Sequence, residues 1–185
     1  MKNASFDNSI YYNMVRKINI SFLLLLFLQL SCSQNATQPL LTNFEQQTFT
    51  AKVIRIIDGD TMEVLYEETP IKIRLAHIDC PEKRGKQPFG NNAKIALSDL
   101  CFGQEVTVYG ENYDRYKRLI AVIVNDKKQI VNQELVKQGM AWHFKKYSTD
   151  LLYDKLEYQA RKNKLGLWQD PNPTSPWNWR KVNTL

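Results

Sequence analysis

An Asp-Gly pair set between two β-rich runs constrains this chain most: Asp58-Gly59 stands between Thr50–Ile57 and Thr61–Tyr66. Asp-Gly tolerates the backbone angles of a tight hairpin turn, so the pattern predicts two antiparallel strands. Ile71, Ile73 and Leu75 alternate with Lys72 and Arg74, the period of a half-buried third strand. Val106–Tyr109 and Leu119–Val124 read as two more strands. Phe89, Ala93, Ala96, Leu97 and Leu100 recur at helical spacing and predict an amphipathic helix. Val131–Gln138 is a short helix stopped by Gly139. A longer one, marked by Leu152, Leu156 and Ala160, runs from about Thr149 to Lys164, with cations in its last turn and Gly166 beyond. Five strands interrupted by one helix and followed by two do not alternate as βαβ units. They predict an α+β fold, a small, partly open OB-type five-stranded β-barrel with three helices.

The ends of the chain read differently. Arg16 and Lys17 precede an apolar run, Ile18 to Leu30, followed by Ser31-Cys32-Ser33. The run is shorter than the ~18–20 residues a spanning helix needs. A positive start, a short apolar centre and small residues predict a secretory signal over residues 1–32, with Met14 an alternative start to Met1. Cys32 stands where a lipoprotein cysteine stands, while Gln29 occupies a place where an aliphatic residue is usual. A lipidated Cys32 tethering the chain to a membrane and an unmodified secreted product therefore both stay open; one acyl chain alone anchors only weakly. Export implies a bacterial periplasm, cell envelope or medium. Residues 33–48, rich in Gln, Asn and Thr, read as a flexible tether, and residues 49–170 as the domain. The tail over 171–185, with Pro171, Pro173, Pro176, Trp177 and Trp179, is expected to be non-helical and to pack its tryptophans on the domain. The 25 Lys and Arg exceed the 19 Asp and Glu, a formal charge of +6. Loss of residues 1–32 would leave +4. That permits a polyanionic partner without requiring one.

Four short stretches carry the chemistry. Asp58-Gly59-Asp60-Thr61 alone is a turn. In Arg74-Leu75-Ala76-His77-Ile78-Asp79-Cys80-Pro81-Glu82, Pro81 restrains Cys80 and so holds Asp79 and Glu82 at a strand end with a carbonyl between them. Asp114-Arg115-Tyr116-Lys117-Arg118 alone is a solvated strand edge, and Lys83-Arg84-Gly85-Lys86 alone is surface. Together they offer hard oxygen ligands suited to Ca2+ or Mg2+, two arginines matched to a phosphate and a carboxylate able to orient or deprotonate water. That set suffices to hydrolyse a phosphodiester.

With Asn132-Gln133-Glu134-Leu135-Val136-Lys137-Gln138-Gly139-Met140-Ala141 following in order, these motifs closely resemble the staphylococcal nuclease (thermonuclease) family over about Thr50 to Trp168. The resemblance implies a five-stranded OB-type barrel with three helices. It implies Ca2+-dependent hydrolysis of DNA and RNA at the 5′ P–O bond, leaving 3′-phosphate ends. Carried over, Asp60 and Asp79 would ligate Ca2+ by side chains and Cys80 by its main-chain carbonyl. Glu82 would act on the attacking water, and Arg74 and Arg118 on the scissile phosphate. Arg115 and Tyr116 would contact a terminal phosphate, and Tyr147 would flank the nucleotide.

The chain departs from the family pattern in three places. Cys80 replaces a threonine, which matters little for a carbonyl ligand, since a thiolate is ill-suited to Ca2+. The loop from Glu82 to Gly90 is shorter, and Lys145 stands at a second tyrosine position. His77 and His143 are read as structural or surface residues, and Trp142, Trp168, Trp177 and Trp179 as packing. Cys80 and Cys101 could pair in an oxidising compartment. The leading expectation is an exported, monomeric nuclease acting on DNA and/or RNA. The alternatives are a non-catalytic nucleic-acid- or protein-binding module on the same barrel and a tethered structural lipoprotein.

Overall fold

The computed structural model describes residues 43–183. The signal expected over 1–32, Cys32 and most of the expected tether lie outside the described residues. Strands β1 (Thr48–Asp58), β2 (Thr61–Tyr66) and β3 (Thr69–Leu75) form an antiparallel meander. Strand β4 (Ile78–Asp79) and helix α1 (Gly90–Cys101) follow, then β5 (Glu105–Tyr113) and β6 (Leu119–Val124). β6 pairs parallel to β3 and antiparallel to β5, and β5 pairs back onto β1. The sheet is thus a closed barrel in the order β1-β2-β3-β6-β5, where the sequence suggested a partly open one. Closure leaves no free edge between β1 and β5.

Alternation along each strand fills this barrel. Val53, Met62, Val64, Ile73, Leu75, Val108, Leu119 and Ile123 are all buried inside it. Helix α1 covers one end with Ala93, Leu97 and Cys101, and α2 (Val131–Lys137) another with Val131, Leu135 and Val136. Within α2, the fully buried Asn132 accepts from the Ile123 N–H at 3.0 Å. Its amide donates to the carbonyls of Ala76 and Ala121 at 3.0 and 3.1 Å. These bonds fix the chain where β3 leaves the barrel, just before the acidic loop.

Strand β7 (Trp142–His143) pairs with β4, setting Trp142 opposite Asp79. Helix α3 (Leu151–Lys162) is capped by the Asp150 carboxylate, which accepts from the Leu152 N–H at 2.8 Å. Its buried face is Tyr153, Glu157 and Ala160 rather than the expected Leu152, Leu156 and Ala160, because Tyr153 stacks on His143. Gly139 and Gly166 pass so close that a Cβ on either would lie 2.2 Å from a carbonyl oxygen of the other's segment.

Two expectations change. Of the residues read as tether, Asn43 to Thr48 belong to the folded body: Phe44 is buried, and the Gly110 N–H donates to the Gln47 carbonyl at 2.8 Å. The tail is helical from Pro176 to Asn183 (α4), following a 3-10 turn over Gly166–Gln169. Proline at the start of a helix costs no backbone bond, and the Ser175 carbonyl accepts from the N–H groups of Asn178 and Trp179. Counting prolines therefore misled, although Trp177 does pack on the domain, stacked on Phe144 with centroids 5.4 Å apart and planes at 6°. Cys80 and Cys101 are both buried and both free.

Candidate active site

Asp60 closes the β1–β2 hairpin. Its Oδ1 accepts from Thr61 Oγ1 at 3.0 Å and its Oδ2 from the Cys80 N–H at 2.9 Å. Gly59 permits this closeness: a Cβ there would lie 2.7 Å from Ala93 Cβ and 2.8 Å from Cys80 Cβ. The Cys80 side chain therefore faces Gly59 and α1, and burial pushes its thiol well up.

Arg74, on the outer side of β3 near its end, reaches both acidic segments. Its guanidinium lies 3.2 Å from Asp60 Oδ2 and 2.8 Å from Asp79 Oδ1. The short β4–β7 ladder buries Asp79 to 1% exposure. Burial raises the Asp79 carboxyl above the ordinary aspartate range, against the pull of Arg180 and Arg74. Glu82 is raised in the same way. Its loop is pinned by Gln87, whose Oε1 accepts from the Glu82 N–H at 2.9 Å and whose own N–H donates to the Glu82 carbonyl at 3.1 Å. Gly90 adds a contact that no side chain could share, since a Cβ would sit 2.5 Å from that carbonyl oxygen.

The third segment comes from the turn before β6. Asp114 Oδ1 accepts from the N–H groups of Tyr116 and Arg118 at 2.8 and 3.0 Å, and its Oδ2 from Arg118 Nε at 2.7 Å. So held, Arg118 points back to the hairpin, with Nη1 3.4 Å from Thr61 Oγ1. Asp60, Asp79, Glu82, Arg74 and Arg118 line one groove. Arg115 and Tyr116 form its rim, joined by a 2.7 Å hydrogen bond and by the guanidinium over the ring at 4.7 Å. Tyr147, 70% exposed, lies on the same groove beside Lys145 and Lys146.

The acidic centre suits a hard divalent ion. Two carboxylates converge on one guanidinium and the Cys80 peptide adjoins Asp60, so hard oxygen donors cluster there. The histidines stand apart: His143 Nδ1 lies 2.9 Å from Asp154, which also binds Lys145 at 2.7 Å, and His77 Nε2 lies 3.3 Å from Glu111. Burial holds the Cys101 thiol up at about 12, beside Met62.

Sequence reasoning missed Arg180. From α4 its guanidinium reaches Asp79 Oδ2 at 2.7 Å and Oδ1 at 3.3 Å, and also bonds Glu82 Oε1. Partners about a hundred positions apart leave no periodic signal. The one available hint was a cation one turn into a segment expected to pack on the domain.

Comparisons with known proteins agree with this geometry. A family profile described as "Staphylococcal nuclease homologue" matches residues 72–170. An "Uncharacterized endonuclease" of Haemophilus influenzae is 42% identical over 172 residues, covering 92% of this chain and 88% of its own. A "Micrococcal nuclease" of Shigella flexneri is 41% identical over 145 residues, 73% of this chain and 82% of its own. A "Staphylococcal-like nuclease" of Arabidopsis thaliana is 37% identical over 137 residues, 73% of this chain and 40% of its own.

Proposed function

Because this chain belongs to the staphylococcal nuclease family, we propose that it is an exported, Ca2+-dependent phosphodiesterase that cuts DNA and/or RNA at the 5′ P–O bond and leaves 3′-phosphate ends. The observation that carries the reading is the meeting of Asp60, Asp79 and Glu82 with Arg74 and Arg118 in one groove. Asp60, Asp79 and the Cys80 carbonyl would hold the ion, which supplies charge stabilisation at the phosphoryl oxygens.

The remaining work falls to the chain's own groups. Glu82 orients the attacking water and accepts its proton as the new O–P bond forms. Arg74 and Arg118 bind the phosphate and offset the charge that grows on its oxygens while the bond to the 5′ oxygen breaks and that oxygen takes up a proton from solvent water. Both guanidiniums are held by acidic partners before substrate arrives, so little reorganisation is needed during reaction. Arg115, Tyr116 and Tyr147 contact the nucleotide flanking the cut.

Purified protein incubated with plasmid DNA and with RNA tests this. Degradation in millimolar Ca2+, its loss in excess EDTA, and fragments whose 3′ ends support primer extension only after phosphatase treatment are expected. Equal activity in EDTA would refute the metal assignment. A gel shift without degradation would favour a binding module on the same barrel.

Export and a monomeric state belong to the same proposal. The Arg16-Lys17 start and apolar run to Leu30 support export, and among the described residues no helix is long and apolar enough to cross a membrane. Mass spectrometry of the mature protein should find a terminus near residue 32. A diacylglycerol-modified Cys32 would establish a membrane tether, an unmodified Ser33 or Gln34 would exclude it, and an intact residue 1 would overturn export.

A further inference from the structure

Among the described residues, Arg180 is a cation of the acidic centre that no family motif supplied. It is held from behind. Trp177 stacks on Phe144 and meets Trp142 edge-on at 5.6 Å, and Gln87 donates to the Thr174 carbonyl at 2.7 Å. Gln87 also binds the Glu82 backbone, so the loop bearing Glu82 and the approach to α4 share one clamp. The forked guanidinium then spans two carboxylates on the two sides of Pro81.

Charge decides what this contact does. Asp60, Asp79 and Glu82 face Arg74 and Arg180, while Asp114 and Arg118 answer each other. Three carboxylates against two guanidiniums leave one formal negative charge, which a divalent ion turns into one net positive charge. Without Arg180 the ion-loaded centre would be neutral and would lose that positive charge toward an anionic phosphodiester. A stopper that merely blocked the ion would need only Asp79; Arg180 also grips Glu82.

We propose that Arg180 is a positioning residue of the nuclease site, supplied by the C-terminal helix, which fixes Asp79 and Glu82 relative to each other and leaves the ion-loaded centre net positive. The inference rests on the nuclease reading and extends it to a part of the chain beyond residues 72–170. It predicts effects of opposite sign. Removing a cation next to the ion site tightens metal binding, while freeing Glu82 and losing the loaded centre's net positive charge slows cleavage.

The test uses the whole exported chain, with Ca2+ alone as the calorimetric probe and plasmid DNA at saturating Ca2+ for kinetics. Arg180→Gln should bind Ca2+ several-fold more tightly and lose roughly 10–100-fold in kcat, with a much smaller change in KM. Arg180→Lys should regain wild-type Ca2+ affinity but only part of kcat, because an ammonium does not reproduce the fork. Unchanged or raised kcat in Arg180→Gln would overturn the proposal and make the residue a stopper. Unchanged or weaker Ca2+ affinity would also overturn it. Should Arg180→Gln fail to fold, full wild-type kcat in Arg180→Lys would be the overturning result. A wild-type protein without Ca2+-dependent cleavage would instead refute the nuclease reading, before any variant is compared.

Discussion

Arg74→Ala should lose roughly 10²–10³ in turnover, the usual effect of deleting one preorganised charge-stabilising group, and should lose stability as well. Its side chain is only 13% exposed and lies between Asp60 and Asp79. Breaking a buried pair by deleting one partner strands the other charge, at a cost of about 3–5 kcal/mol. Here the loss should fall at the lower end, since Arg180 still answers Asp79. Arg118→Ala should lose a similar factor in turnover with a smaller loss of stability, because the part-buried Asp114 keeps the backbone N–H bonds from residues 116 and 118. Glu82→Ala should follow Arg118→Ala. Single-turnover cleavage of plasmid DNA, measured below each variant's melting temperature, separates the two effects. Wild-type turnover in folded Arg118→Ala or Glu82→Ala would remove that residue from the site.

The same contrast explains which parts of the site were legible in the sequence. The hairpin at Asp58-Gly59 and the alternation through Ile71, Ile73 and Leu75 are local patterns, and the local backbone follows them. They set Asp60 at a turn and Arg74 outside the barrel without reference to the rest of the chain. The convergence of the three motifs is not local. It depends on the parallel pairing of β3 with β6, which sets Arg74 beside Ile120, and on the Asn132 bonds that anchor the exit from β3. Motif order suggested it; periodicity alone could not. Arg180 lay beyond both routes. Its place depends on Trp177 finding Phe144 and on Pro176 starting a helix, and a reading that treats prolines as helix breakers misses the first-turn position where proline is welcome. The two-residue ladder that buries Asp79 was likewise too short to leave an alternating pattern.

Adding Ca2+ at pH 7 should raise the melting temperature, and the increment should vanish in acid. Burial holds Asp79 and Glu82 above the ordinary values of 3.8 and 4.5. A carboxyl raised on folding favours the native state below its unfolded value, and that contribution is lost as pH rises through the folded value. At neutral pH both groups therefore oppose folding in the metal-free protein. An ion bound only by the native state reverses this, contributing about 2.7 kcal/mol at a hundredfold excess over Kd. For a domain of this size that corresponds to roughly 5–10 °C. Ligands must be ionised to bind the ion, so the increment should fall from its full value as acid protonates the native carboxyls, a loss that begins above the ordinary values of 3.8 and 4.5. Asp79→Asn should abolish the increment at every pH, because the amide keeps the shape but loses the charge. Calorimetric melting of wild type and Asp79→Asn, with and without Ca2+ across this range, gives the measurement. Coincident melting curves for wild type in Ca2+ and in EDTA at pH 7 would mean that the acidic centre does not hold the ion, whatever the nuclease activity turns out to be.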